Sequence, residues 1–506
     1  MSRSLTTDTR SGEIQLALNQ HRAQQRQLHP RSHYAKLFLN GQFVEARNTE
    51  TYSLKNPKDN SVAIGNIPIA GPADVDSAVE YAEKAFHGPW SSFTALQRTE
   101  CLLKLASLID EELTSILTLD SLTSGVPISL APIRERNYIR NCVLYYAGWT
   151  DKQKGDYFPA DDGEHEPLGV CAAINPFNSP VACFFLKAAP ALATGNVMIV
   201  KPSEKTPLGS LAAAPLFEKA GFPPGVIQVI TGPGSTGTLL AEHMRIRKVS
   251  FTGSVATGKK IQQAAAQTNL KRVTLELGGK SPAIIFDDAN IENALTWTIN
   301  AILTRSGQLC VAASRVYVQK SIAEHFIEEY KKRMKAAVSD LGDPQDPGVK
   351  MGPMVDELQL ERVVNMVERG RAEAELVVGG ARHGETGCYM EPTVFLNPKD
   401  DAEIYKQEVF GPVSVIKTFE TEEEVLKLAN DTEFGLMSGV FTKDITRALR
   451  VSSVLESGVV GVNCVSLQNL QTPFGGKKQS GIGREFGEYA LRLFTEPKTV
   501  LINMSA

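Results

Sequence analysis

The chain of 506 residues reads as an α/β protein built on two parallel sheets, and three observations predict this. Short runs that are apolar throughout and rich in β-branched residues recur between stretches of helical periodicity, the pattern of strands covered on both faces. Glycine pairs follow two of these runs at the point where a strand hands over to a helix. The length exceeds one domain, because at roughly 150 residues per folding unit it allows about three.

Taken in order, residues 1–33 form an N-terminal extension. Its Arg, Ser and Gln content resembles a mitochondrial transit peptide, but Asp8 and Glu13 argue against one, since such peptides are poor in acid. Ile14 to Gln27 is read as an amphipathic helix, and the expected address is cytoplasmic, with mitochondrial the alternative. Asp74 to Phe86 starts on an Asp cap and repeats apolar residues at helical spacing, as does Thr99 to Leu117. Buried strands are expected at 170–174, 197–200, 226–230 and 248–251. A second set follows at 282–286, 314–318, 375–380, 414–419 and 457–463, with a helical stretch from Ile291 to Thr304. Between helix and first strand set, Tyr145 to Pro167 alternates polar with aromatic residues around turn formers and reads as an exposed hairpin. Such a hairpin is expected to pair with a partner subunit, giving a homo-dimer or homo-tetramer.

Lys plus Arg number 53 against 57 Asp plus Glu, a net charge of −4, which argues against nucleic acid as a partner. The longest apolar stretch, Val170 to Val200, is broken by Asn175, Pro176, Asn178, Lys187 and Asn196, so no bilayer span is expected. Seven scattered cysteines suit free thiols in a reducing compartment. None forms a CxxC pair and no His cluster accompanies them, so no metal site is expected.

Four motifs carry candidate chemistry. Gly232 to Gly237 fits GxGxxG after a strand, with Gly234 central to it. No acid follows at the spacing a dinucleotide fingerprint expects, and a plain strand-to-helix turn explains it equally well. Phe251 to Gly258, with Gly253 and Ser254, is a second turn that opens a helix toward an anion. Glu276, flanked by Leu275 and Leu277, is expected to be partly buried, which raises its pKa and suits a general base; a solvated strand-end Glu is the alternative. Cys310 follows a Gly-Gln turn, where a loop thiol is open to substrate.

The motifs PFN (Pro176 to Asn178), KPSE (Lys201 to Glu204), FTGS with Gly258, LELGGK (Leu275 to Lys280), GQLC (Gly307 to Cys310), EVFGP (Glu408 to Pro412) and PFGGKKQSGIGRE (Pro473 to Glu485) together resemble the NAD(P)-dependent aldehyde dehydrogenase superfamily. Order and spacing agree from near Leu37 to the C-terminus. The resemblance implies an aldehyde dehydrogenase-like fold: a Rossmann-type NAD-binding domain at 34–144 and 168–278, an α/β catalytic domain at 279–479, and a protruding β-hairpin oligomerisation element formed by 145–167 and 480–506. It implies NAD-dependent oxidation of an aldehyde to the acid, with NADP less favoured. Cys310 is then the nucleophile, Asn178 with the Cys310 backbone N–H the oxyanion site, and Glu276 the base that activates water. Lys201 and Glu204 are assigned to the adenosine ribose, and Gly234, Gly253, Ser254 and Gly258 to the glycine turns at the pyrophosphate. Glu408 falls to the nicotinamide ribose and Phe410 beside the nicotinamide.

Phe177, Ser179, Cys183, Thr304, Leu309 and Phe474 are the implied substrate-pocket positions. Ser179, Cys183, Leu186 and Thr304 are smaller than the aromatics the family often places there, so a medium-chain or aromatic aldehyde is expected. Three residues depart from the family pattern: Phe177 stands for the usual Trp, Arg305 for the common Asn, and Leu309 is uncommon before the nucleophile. Arg305 opens a second possibility, a carboxylate-bearing semialdehyde. A CoA-acylating semialdehyde dehydrogenase and a catalytically retired structural or binding protein are competing functions; retention of Glu276 argues against the first, and intact Cys310, Glu276 and Asn178 argue against the second.

Overall fold

The computed structural model describes residues 35–130, 135–152, 157–158, 161–501 and 503. The helix expected over Ile14 to Gln27 lies outside them. An eight-stranded sheet runs in the order Gln42–Val44, Leu37–Leu39, Ile227–Val229, Val197–Lys201, Val170–Ile174, Lys248–Thr252, Arg272–Glu276, Gly481–Ile482. Its five central strands are parallel and the outer ones antiparallel. Val170–Ile174 and Val197–Lys201 are buried at every position, which is why, up to the terminal Lys201, their sequences are apolar without alternation.

The second sheet has the order Glu375–Val378, Thr393–Leu396, Val413–Phe419, Arg315–Gln319, Pro282–Ile285, Met437–Phe441, Val459–Val462. Two of these strands escape the sequence reading. Thr393–Leu396 is only four residues long. Met437–Phe441 carries a Ser-Gly pair that imitates a turn, yet Gly439 is there because a Cβ would lie 2.8 Å from Cβ of Val465.

The helix expected over Thr99 to Leu117 extends to Ala95–Ser124. A capping box between Thr94 and Gln97 starts it, and Gly125 in the left-handed region (φ 71°) ends it. The hairpin region is a small third sheet in which Asp161–Pro167 pairs with Tyr157–Phe158 and, antiparallel, with Thr495–Leu501. Its limits are narrower than the sequence suggests. Residues 145–147 belong to the helix Arg136–Ala147, and Gly481–Ile482 closes the edge of the eight-stranded sheet against Leu275 and Glu276.

The first sheet is tied to the C-terminal segment by one buried side chain. Asn196, fully shielded from solvent, accepts the Gly169 N–H (2.9 Å) and donates to the Thr194 hydroxyl and the Phe494 carbonyl (both 2.8 Å). Asn196→Ala strands a buried donor and a buried acceptor, at about 1–3 kcal/mol each. We expect a clearly lower thermal unfolding midpoint than that of the unaltered protein; an unchanged midpoint would show that water replaces both bonds.

Candidate active site

In the eight-stranded sheet the chain steps outward from Val170–Ile174 to Val197–Lys201 and Ile227–Val229, then returns to the other side with Lys248–Thr252. The connections therefore diverge between the strands ending at Ile174 and Thr252, and a crevice opens at their carboxyl ends. A cleft of about 690 Å³ lies there, within the size range of small-molecule sites. Its walls include Asn178, Lys201, Glu204, Ser254, Glu276, Cys310, Glu408 and Phe410, so residues scattered over nearly half the chain meet in one place.

Cys310 is presented by an unusual turn. Helix Ile291–Leu303 ends in a short turn in which Arg305 (φ 52°) and Ser306 (φ 54°) both adopt the left-handed conformation. For side-chain-bearing residues this costs about 1–2 kcal/mol each, and it persists only where neighbours hold it. Gly307 (φ 71°) follows, and a Cβ on it would sit 2.0 Å from the Gly411 carbonyl oxygen. The Ser306 hydroxyl donates to the Gly352 carbonyl (2.6 Å), and the Val355 N–H donates to the Gln308 side chain (3.0 Å). On the facing loop, Nδ2 of Asn178 donates to the Gln308 carbonyl (2.7 Å). That bond uses one amide hydrogen and leaves the second for a ligand.

Arg305 does not act as a free cation beside the thiol, as its sequence position suggests. Its guanidinium donates to the Asn178 carbonyl and, at 2.7 Å, to the Glu135 carboxylate. The charges that act on Cys310 are those of Glu408 and Glu276. They add to burial, the main cause, and all push the thiol well above its ordinary range.

Glu276 ends strand Arg272–Glu276, is 4% exposed, and keeps Oε2 buried without a hydrogen-bond partner in the protein. Burial raises its pKa well above the usual carboxylate range, and Glu485 adds to this, while Lys187 and Arg484 oppose it. Lys187 and Glu485 form a close ion pair, with Lys187 also donating to the Ser250 hydroxyl (3.0 Å). The sequence reading assigns this pair no role. The signal is present nonetheless, since a lysine inside the apolar helix Pro180–Ala193 is buried only with a partner.

Lys201 is buried, donates to the Pro202 carbonyl (2.9 Å) and stands 3.8 Å from the Glu204 carboxylate. Burial lowers its pKa to about 8, against the pull of Glu204. Gly234 opens helix Gly234–Glu242, and Gly253 and Ser254 precede helix Val255–Gln267, where the Ser254 hydroxyl accepts the Thr257 N–H (3.3 Å). Both helices start on the cleft wall. Gly258 lies inside the second helix, where a Cβ would meet Leu277 at 2.8 Å; its place is close helix packing. Glu408 accepts the Gly279 N–H (2.9 Å), and burial raises its pKa to about 7. Phe410 meets Phe177 edge to face, ring centres 5.6 Å apart.

Of the remaining pocket candidates, Ser179 caps helix Pro180–Ala193, and its carbonyl accepts the Cys183 N–H. Thr304 bonds back to the Asn300 carbonyl, and Phe474 is buried against Phe486. With Leu309, these do not contribute to the walls of the cleft. Two wall residues escape notice in the sequence. Asn175 and Thr252 carry buried polar atoms with no protein partner, as Glu276 does. Unpaired polar groups on a cleft wall suit a polar ligand that completes them. Among the described residues no cluster of His, Cys, Asp and Glu is placed to hold a metal, and no helix is long and apolar enough to cross a membrane.

Residues 43–500 match the model of the aldehyde dehydrogenase family. An aldehyde dehydrogenase of Agaricus bisporus is 42% identical, covering 93% of this chain and 95% of its own length. The "aldehyde dehydrogenase, cytosolic 1" of Rattus norvegicus is 43% identical over the same shares. The NAD+ complex of an aldehyde dehydrogenase from Bacillus cereus superposes with a TM-score of 0.90 at 41% identity, covering 93% of this chain and 96% of that one.

Burial is the main cause that keeps the Cys310 thiol protonated and the charge of Glu408 adds to it, so Glu408→Gln should speed its alkylation by iodoacetamide at pH 8 in the ligand-free protein. Mass spectrometry of the Cys310 peptide measures this. An unchanged rate would mean that Glu408 does not influence the thiol.

Proposed function

The chain belongs to the aldehyde dehydrogenase family and is an NAD(P)-dependent aldehyde dehydrogenase, and from this we propose that it oxidises its aldehyde through a covalent thiohemiacetal on Cys310. The observation that carries the reading is the meeting of Cys310, Asn178 and Glu276 at one cleft, with Asn178 bonded to the loop that presents the thiol. The Cys310 thiol gives up its proton to solvent in the open cleft, and the resulting thiolate sulfur attacks the carbonyl carbon. The oxygen, as it gains charge, is held by the free amide hydrogen of Asn178 and the Cys310 backbone N–H. Glu276 then takes a proton from water, which attacks the thioester and releases the acid.

The cleft suits a dinucleotide in its donor set: two helix N-termini for phosphates, Lys201 and Glu204 for one ribose, Glu408 for the other, and orphaned polar atoms on Asn175 and Thr252. When bound, NAD supplies the acceptor for the hydride leaving the thiohemiacetal carbon. Glu204 beside the ribose favours NAD, since a 2′-phosphate would face like charge. Phe410, edge to face with Phe177 on the cleft wall, is the ring we assign beside the nicotinamide. For substrate we favour a medium-chain or aromatic aldehyde on the family resemblance alone: Ser179, Cys183, Leu186 and Thr304 are smaller than the aromatics often found at those positions, and none of them lines the cleft itself. The Glu135 partner of Arg305 weighs against a carboxylate-bearing substrate. The sheet of Asp161–Pro167 with Thr495–Leu501 is the element through which we expect a homo-dimer or homo-tetramer to form, and the name of the rat relative supports a cytosolic address.

Glu276→Gln tests the base directly. Hydride transfer survives and deacylation stalls, so a burst of about one NADH per active site precedes slow turnover. In the unaltered enzyme deacylation should climb as pH rises through the elevated pKa of Glu276, because only the ionised carboxylate accepts the proton; the Gln variant should lose that rise. A normal steady-state rate in the variant would place water activation elsewhere.

A panel of acetaldehyde, hexanal and benzaldehyde with each cofactor tests specificity. At roughly 0.8 kcal/mol per buried methylene, kcat/KM for hexanal should exceed that for acetaldehyde by on the order of a hundredfold, and NAD should exceed NADP. A preference for acetaldehyde, or for NADP, would overturn the respective assignment.

A further inference from the structure

We propose that Arg305, anchored by Glu135, is a positioning residue that fixes the oxyanion loop against the nucleophile loop, a role resting on the assignment of Cys310 and Asn178 above. The geometry is a two-way clasp. Asn178 reaches across through its side chain to the Gln308 carbonyl (2.7 Å), and Arg305 reaches back through its guanidinium to the Asn178 carbonyl. The same loop therefore both receives a bond from Asn178 and gives one to it, which sets the position and the tilt of the residue. The Asn178 amide hydrogen left over for the substrate oxygen takes its direction from this clasp.

The anchor explains why an arginine serves here. One arm of the planar fork meets Asn178 and the other meets the Glu135 carboxylate at 2.7 Å, so the side chain is tethered at two points in a fixed geometry. Both members of the pair are largely buried, 14% and 12% exposed. The backbone adds a third constraint, because the Arg305 carbonyl accepts both the backbone N–H of Gln308 and its side-chain amide (3.1 Å each). Glu135 sits at the start of helix Arg136–Ala147, so the clasp ties the chemistry to a helix of the body. Close enough to feel both members lies the buried Asp120, whose pKa is raised to about 8, chiefly by burial, with Glu135 adding to the rise and Arg305 opposing it. Removing Arg305 alone thus leaves two acids facing each other, and loss of stability has to be separated from loss of alignment.

Single-turnover NADH formation, with enzyme in excess of hexanal at saturating NAD, makes that separation. Arg305→Met should slow the step by on the order of ten- to a hundredfold, the effect expected when a reacting group is displaced by about 1 Å, with KM for NAD little changed. Arg305→Lys should recover part of the rate, since an ammonium reaches Glu135 or Asn178 but lacks the fork. Arg305→Met combined with Glu135→Gln should restore the thermal midpoint lost in the single variant while staying slow. Glu135→Gln alone, which keeps the guanidinium, should slow the step less than Arg305→Met and serves if that variant does not fold. A double variant that regains the full rate together with its stability would reduce Arg305 to a structural residue and overturn the proposal. So would a rate loss confined to succinic semialdehyde, which would make Arg305 a substrate-carboxylate receptor. Cys310→Ala with undiminished turnover would instead refute the nucleophile assignment itself, whatever the Arg305 variants do.

Discussion

A side chain on Gly279 would place its first carbon 2.2 Å from the carbonyl oxygen of Cys310, and one on Gly307 would lie 2.0 Å from the carbonyl of Gly411. The site depends on those missing atoms. They let the chain between the two sheets, the nucleophile loop and the loop carrying Glu408 meet backbone to backbone, closer than any side chain permits. The same crowding at Gly278, whose Cβ position is 2.3 Å from the Glu408 carboxylate, holds that acid against the Gly279 N–H. Once the three segments are locked together, Cys310, Glu276 and Glu408 share one cleft without further design.

Crowding of this kind has an electrostatic consequence. Burial raises the cost of ionising Cys310, Glu276 and Glu408 alike, and the charges of Glu408 and Glu276 raise it further at the thiol. Both effects favour the protonated form of the Cys310 thiol. Cations oppose this rise from outside: Lys187 and Arg484 at Glu276, and Arg362 and Lys280 at Glu408. Arg305 is withheld from this balance by Glu135, which leaves it free to act through geometry instead of charge.

Legibility in the sequence differs by level. The strands at 170–174 and 197–201 are legible because burial on both faces writes an apolar run, broken only by Lys201 at the end of the second. Met437–Phe441 is not, because its Ser-Gly pair imitates a turn and only the packing of Gly439 on Val465 reveals a strand. The long helix is visible but shortened, since its Thr94–Gln97 cap lies ahead of the apolar repeat that marks it.

By itself the sequence determined the α/β class and the family and named the candidate residues for the chemistry, because each is a matter of residue type at a spacing along the chain. Tertiary structure alone decided what those residues experience. Arg305, a stray cation near a thiol on sequence grounds, became a clasp once Glu135, 170 positions away, was brought to it. Glu276 became an acid with an orphaned buried oxygen once Gly475 and the Lys187–Glu485 pair closed around it. Partners of that kind are set by the fold's crossing of distant segments, and no local spacing records them.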